Sequence, residues 1–157
     1  EPNASDVASR IAQWHRPYHT ALESEIARVK SVHGFAILFD CHSIRSRIPF
    51  LFEGTLPDFN IGTNKGVTCD TAIESAAVES CAGSPFTHVL NGRFKGGWTT
   101  RHYGRPQENV HAIQMEIAQV RYMDEHAPWT WREDRASQTR AVLADVFNKL
   151  NQLAPAL

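Results

Sequence analysis

The fifteen residues Phe35 to Pro49, FAILFDCHSIRSRIP, constrain this chain more than any other stretch. Five apolar residues and an aspartate, Phe35 to Asp40, read as a strand buried on both faces, and the polar burst Asp40, His42, Ser43, Arg45, Arg47 follows at once. In open α/β sheets ligands gather at the carboxyl ends of strands, because the strand holds the first residues of the loop rigidly. Asp40 to Arg47 is therefore the first candidate site.

Composition narrows the classes. With 157 residues, 42% hydrophobic and 21% charged, the chain is expected to be one soluble globular domain over 1–157. A formal net charge of -1 gives no global field for nucleic acid or an anionic membrane surface. Three widely spaced cysteines, Cys41, Cys69 and Cys81, with no C-x-x-C, argue against a disulfide framework and for a reducing, cytoplasmic compartment. No apolar run approaches the roughly 20 residues that span a bilayer, and EPNASDVASR is not a signal peptide.

Before the central run, Val7, Ile11, Trp14, Tyr18, Leu22, Ile26 and Val29 keep helical spacing over 4–31, with Ser5 and Asp6 as N-cap, Gly34 as stop and a kink expected at Pro17. His15 and His19 have the i, i+4 spacing of a helical metal pair but lack a third ligand, so a polar helix face is the preferred reading. After the run, residues 41–68 read as a long structured loop whose PDFNIGTNKG segment could turn backbone N–H groups toward an anion. Asp70 then caps a helix over 71–81.

Two further strands end in polar residues. PFTHVL, 85–90, leads into Asn91, Arg93 and Lys95, and from 91 to 105 there are four basic residues, Arg93, Lys95, Arg101 and Arg105, and no acid, which suggests a local anion site. VHAIQMEI, 110–117, is contested between helix and strand; in strand phase His111, Ile113, Met115 and Ile117 point one way, and Gln114 and Glu116 stand together on the other. A carboxylate there, partly desolvated, is a candidate general base, and a structural ion pair is the alternative. A final helix over 132–152 carries Ala136, Thr139, Val142, Val146, Leu150 and Leu153 on one side and ends at Pro155. The expected order is helix, strand, helix, strand, strand, helix.

The residues alone leave the chemistry open. His42 suits a metal, with Asp40 two residues earlier to orient it, but one histidine is not a zinc site and no HExxH occurs. Cys41 as nucleophile with His42 as base is the competing reading, weakened because neighbours in an extended chain face opposite ways.

The runs DCHSIRSRIPFLFEGTLPDFNIGTNKGVTCD (40–70), HVLNGRFKGGWTTRHYGRP (88–106) and HAIQMEIAQVRYMDE (111–125) closely resemble the N-formylglutamate amidohydrolase family. The resemblance implies a zinc-carboxypeptidase-like (phosphorylase/hydrolase-like) α/β sheet flanked by helices. It also implies a metal-dependent amidase that releases formate from N-formyl-L-glutamate in histidine degradation, with zinc or another divalent metal as cofactor. In that picture His42 ligates the metal, Glu116 is general base, and Arg45, Arg47, Asn91, Arg93 and Arg101 hold the dicarboxylate substrate through bidentate contacts from the guanidinium forks. Family members begin with a further segment bearing other metal ligands. The chain is accordingly expected to be the C-terminal part of the family domain, inactive alone, and prone to self-association or complementation through uncovered surface. A non-catalytic dicarboxylate-binding module and a partner-dependent fragment are the alternatives.

Overall fold

The computed structural model describes residues 3–153, which divide between Ala36 and Ile37 into two compact units. The first is helical. Asn3 and Asp6 form a reciprocal capping box at the start of α1 (Ala4–Arg10), so the cap lies two residues before the expected Ser5. Ile11–His15 is a π-helical turn in which the N–H of Arg16 reaches back to Ile11 O, and α2 follows as Arg16–His33. Pro17 thus causes no break. Its missing N–H falls in the first turn of α2, where the π turn has already shifted the bonding pattern. Gly34, at φ 83, closes α2 in the left-handed conformation that glycine adopts without penalty. The apolar stripe is helical but not buried: Trp14 is 72% and Tyr18 60% exposed, because a single helical rod has no second layer of its own to cover it.

The second unit holds a four-stranded sheet in the order β1-β4-β2-β3. Its strands are β1 (Ala36–Ile44), β2 (Phe59–Gly62), β3 (His88–Leu90) and β4 (Val110–Ala118). β2 runs parallel to β3 and antiparallel to β4. Between the strands come α3 (Thr71–Ala82), capped by Asp70, and α4 (Trp98–Tyr103), and α5 (Glu133–Leu153) closes the unit. This is a mixed α/β sheet flanked by helices. Pro155, expected to end α5, lies outside the described residues.

Register sorts the faces. Phe59 opposite Ile117 and Ile61 opposite Met115 point into a core with Ile73, Ala77 and Cys81 of α3 and Val142, Val146 and Leu150 of α5. Burying these side chains stabilises the fold by about 1.5–3 kcal/mol for each large one. Asn60 opposite Glu116 and Gly62 opposite Gln114 point the other way.

Three expectations are corrected. The strand expected over Phe35–Asp40 runs on to Ile44, and of its apolar residues Ala36 is buried while Ile37, Leu38 and Phe39 are half-buried rather than buried on both faces, because β1 is an outer strand of the sheet among the described residues. The 41–68 region contains a strand, β2, all four of whose residues are buried. The 91–105 region contains the helix α4, which begins directly after Gly96 and Gly97.

Candidate functional site

The sheet face opposite the hydrophobic core carries the polar residues. On β4, Gln114 and Glu116 are both buried and stand two residues apart, as strand phase requires. Gly62 opposite Gln114 has no side chain, and the chain at 95–97 comes down into that space: a Cβ at Gly62 would lie 2.4 Å from Gly96 N. This contact brings the N–H of Gly97 to Gln114 Oε1 at 2.6 Å. With its oxygen so committed, Gln114 turns its NH2 to Glu116 Oε2 at 3.3 Å.

On β1, Asp40 Oδ1 meets His42 Nε2 at 2.9 Å, and its other oxygen accepts from the Thr100 hydroxyl of α4 at 2.9 Å. Asp40 and His42 lie close enough to Glu116 for their charges to act on it. Burial raises the Glu116 carboxyl above the ordinary value, the His42 ring lowers it, Asp40 raises it, and the Gln114 hydrogen bond lowers it. A buried carboxyl held toward neutrality beside an imidazole can accept and donate a proton.

The structure gathers Glu116, Gln114, Asp40 and His42, and the predicted arginines make contacts of their own. Arg45 and Arg47 line a hollow of about 650 Å³ with Ser43, Ile48, Phe50 and Trp129, and Arg47 Nε donates to Thr55. Arg101 donates to Gly96 O at 2.6 Å, and the Arg93 guanidinium lies 5.8 Å from the Phe52 ring centroid. Asn91 spends its side chain internally: Oδ1 accepts from Thr63 N and Lys65 N, and Nδ2 donates to Thr63 Oγ1. The turn-rich segment behaves likewise. Asn64 N goes to Lys95 O and Gly66 N to Thr63 Oγ1, so the N–H groups expected to face an anion are bound within the protein.

The Cys41 nucleophile gains no support. Its thiol is raised by burial and by Asp40, and the His42 Nε2 pairs with Asp40 instead. Cys41, Cys69 and Cys81 are free thiols, Cys69 being pushed up to about 12 by burial first and by Glu74 and Asp70 next. A metal would have to be held by these same residues. Among those described, no group of three His, Cys, Asp or Glu stands together so as to hold a metal ion, so the site residues here do not by themselves make a zinc centre.

The sequence marks the paired glycines 96 and 97 as permitting a close backbone approach or a tight turn, and Gly62 as one of several turn formers, but a threonine in TTRHY carries no spacing signal. That the chain at 95–97 packs onto Gly62 of β2 is set by the fold.

Comparison with known proteins gives a consistent set. A family model described as N-formylglutamate amidohydrolase matches residues 1–123. The N-formylglutamate deformylase of Pseudomonas aeruginosa is 49% identical over 150 residues, and that of Pseudomonas putida 47% over 150; each match covers 95% of this chain and 56% of the relative. The chain thus spans about half the length of these curated relatives. A crystal structure of N-formylglutamate amidohydrolase from Ralstonia eutropha JMP134 superposes with a TM-score of 0.81 at 23% identity, covering 98% of this chain and 57% of that one, which shows a shared fold.

Proposed function

The chain belongs to the N-formylglutamate amidohydrolase family, and from that premise we propose that its residues serve the hydrolysis of N-formyl-L-glutamate to formate and L-glutamate, a step of histidine degradation. The observation that carries the reading is Glu116: a buried carboxyl with a raised pKa, aimed by Gln114 and standing beside His42. In the proposed reaction Glu116 takes a proton from the attacking water as the C–O bond forms. It returns that proton to the amide nitrogen as the C–N bond breaks, releasing formate and the free amine. His42 and Asp40 complete the polar floor, and Arg45, Arg47, Arg93 and Arg101 are the proposed partners of the substrate carboxylates.

Zinc, or another divalent metal, belongs to the proposal as the group for which His42 is one ligand. Among the described residues no three potential ligands stand together, so the proposal needs further ligands beside His42, in a zinc-carboxypeptidase-like fold. The three free thiols favour a reducing, cytoplasmic setting, and no helix among the described residues is long and apolar enough to cross a membrane.

The test is formate release from N-formyl-L-glutamate by the chain alone and by the chain mixed with the part of the Pseudomonas aeruginosa relative that lies outside the matched residues, each with and without zinc. Release by the mixture alone, dependent on zinc, is expected. Release by the chain alone refutes the need for completion, and no release from any combination sinks the hydrolase reading. The hollow lined by Arg45 and Arg47 supports a second reading, dicarboxylate binding without chemistry. Calorimetry showing glutamate and N-formylglutamate bound equally, with no turnover in the mixture, would favour it.

A further inference from the structure

We propose that Thr100 is a positioning residue for this site: its hydroxyl fixes the Asp40 carboxylate so that His42 is held with Nε2 engaged and Nδ1 left as the nitrogen that meets a ligand. The proposal deepens the hydrolase reading and takes its functional meaning from it, but the geometry and its test do not depend on that reading.

Thr100 is fully buried in the first turn of α4, three residues after the N-cap Gly97, where a threonine hydroxyl can bond back to the carbonyl four residues earlier. Here that carbonyl, Gly96 O, receives Arg101 Nη1 at 2.6 Å, and the Thr100 hydroxyl turns outward from its helix to Asp40 Oδ2 at 2.9 Å. The Asp40 side chain is 14% exposed, so little water competes for its oxygens. With Oδ2 committed, Oδ1 is the oxygen presented to His42 Nε2, and a carboxylate accepting there selects the tautomer with the proton on Nε2. A carboxylate behind an imidazole sets both the ring's orientation and its basicity.

The same short segment acts on the second functional group. Gly97, three residues before Thr100, fixes Gln114 and through it Glu116. One stretch of chain, 97–100, therefore sets the orientation of the imidazole and of the acid, and Thr100 works through Asp40 without itself touching a substrate.

The experiment is side-chain ¹H–¹⁵N correlation NMR of the 157-residue chain, at a pH where the ring is neutral, which reads the histidine tautomer directly. Wild type and Thr100→Ser are expected to show His42 as one tautomer, protonated at Nε2. Thr100→Val, which keeps shape but loses the hydroxyl, is expected to show a mixture of tautomers. A wild-type pattern in Thr100→Val, or a wild-type His42 protonated at Nδ1, overturns the proposal. If Thr100→Val does not fold, the Thr100 hydroxyl proton of the wild type decides: a slowly exchanging resonance upholds the bond and a freely exchanging one overturns it. In the completed enzyme, Thr100→Val is expected to lower kcat about tenfold or more with KM little changed, and Thr100→Ser to restore it. Absence of formate release in every form would count against the hydrolase reading and leave the tautomer result standing on its own.

Discussion

Gln114 and Glu116 stand on one face of β4 with the amide of the first donating to the carboxylate of the second at 3.3 Å, and the direction of that bond is fixed from outside by the Gly97 N–H on Gln114 Oε1. A side-chain amide can be reversed in orientation at little cost unless a donor or acceptor of known kind faces it. The backbone N–H is such a donor, so Gln114 must offer hydrogen to Glu116 and thereby favours its ionised form against the burial that opposes it.

Glu116→Gln tests this balance in two ways. In the completed enzyme the loss of the proton acceptor is expected to cut turnover by about 10² to 10⁴. Stability should move oppositely. The folded carboxyl is raised above its unfolded value of 4.5, so the native state binds more protons than the unfolded chain between those two pKa values, and wild-type stability falls as pH rises through that window. A neutral glutamine escapes this, and urea unfolding of the 157-residue chain should find Glu116→Gln gaining on wild type from acid toward neutral pH. A difference independent of pH would contradict the raised pKa.

Asp58 anchors the opposite end of the sheet. Its Oδ1 pairs with Arg121 Nε at 2.5 Å while Oδ2 accepts from Thr87 N and Thr87 Oγ1, each at 2.9 Å, so one carboxylate ties the entry of β2 to the entry of β3 and the exit of β4. The Asp58 side chain is 9% exposed but that of Arg121 is 38%, and the released guanidinium can regain water. Asp58→Ala is therefore expected to cost about 2–3 kcal/mol, below the range for a fully buried pair, as read by chemical denaturation. A loss under about 0.5 kcal/mol would mean that the pair is merely superficial.

How much of this was legible depends on the residues concerned. α3 and α5 carry their periodicity openly, whereas the β4 run fits a helix or a strand, and only strand phase puts Gln114 and Glu116 side by side. β2 was hidden because two of its four residues are Asn60 and Gly62, which read as turn formers. They are there because the strand's second face bears the site: Asn60 Nδ2 donates to Glu116 O at 3.1 Å, and Gly62 admits a neighbouring backbone. The stripe through Ile11, Trp14 and Tyr18 was legible as a helix, but spacing says which residues share a face and not what covers that face. Asn91, a substrate contact by family resemblance, bonds with Thr63 and Lys65, 28 and 26 residues earlier in the chain, a pairing no local pattern encodes.

Those bonds support strained backbone. Asn64, Lys65 and Gly66 all have positive φ, at 47°, 60° and 81°, and Asn91 itself sits at 51°. For a lysine the left-handed region costs about 1–2 kcal/mol, so an outside tie is needed. Asn91→Ala removes the acceptor of two backbone N–H groups and should destabilise by about 2–3 kcal/mol. Its sharper signature is local: amide exchange at Thr63 and Lys65 should accelerate more than in the core strands. Lys65→Gly should stabilise by about 1 kcal/mol by relieving the strain, and a destabilising outcome there would contradict it.

Gly62 is the position where the fold and the site constrain the sequence together. An added Cβ would meet Gly96 N at 2.4 Å and Lys95 C at 2.7 Å, and both are backbone atoms that cannot rotate aside. Gly92 offers a control, since its Cβ would meet Val89 Cγ2 at 2.9 Å, the end of a side chain. Gly62→Ala is accordingly expected to cost about 1–3 kcal/mol, and Gly92→Ala less. The displacement at Gly62 would also draw Gly97 off Gln114, freeing the amide to reverse and removing its donor from Glu116. Gly62→Ala should therefore impair turnover in the completed enzyme beyond what its stability loss explains, at temperatures where it remains folded, whereas Gly92→Ala should not. Equal turnover in the two folded variants would show that the contact shapes the loop without shaping the acid.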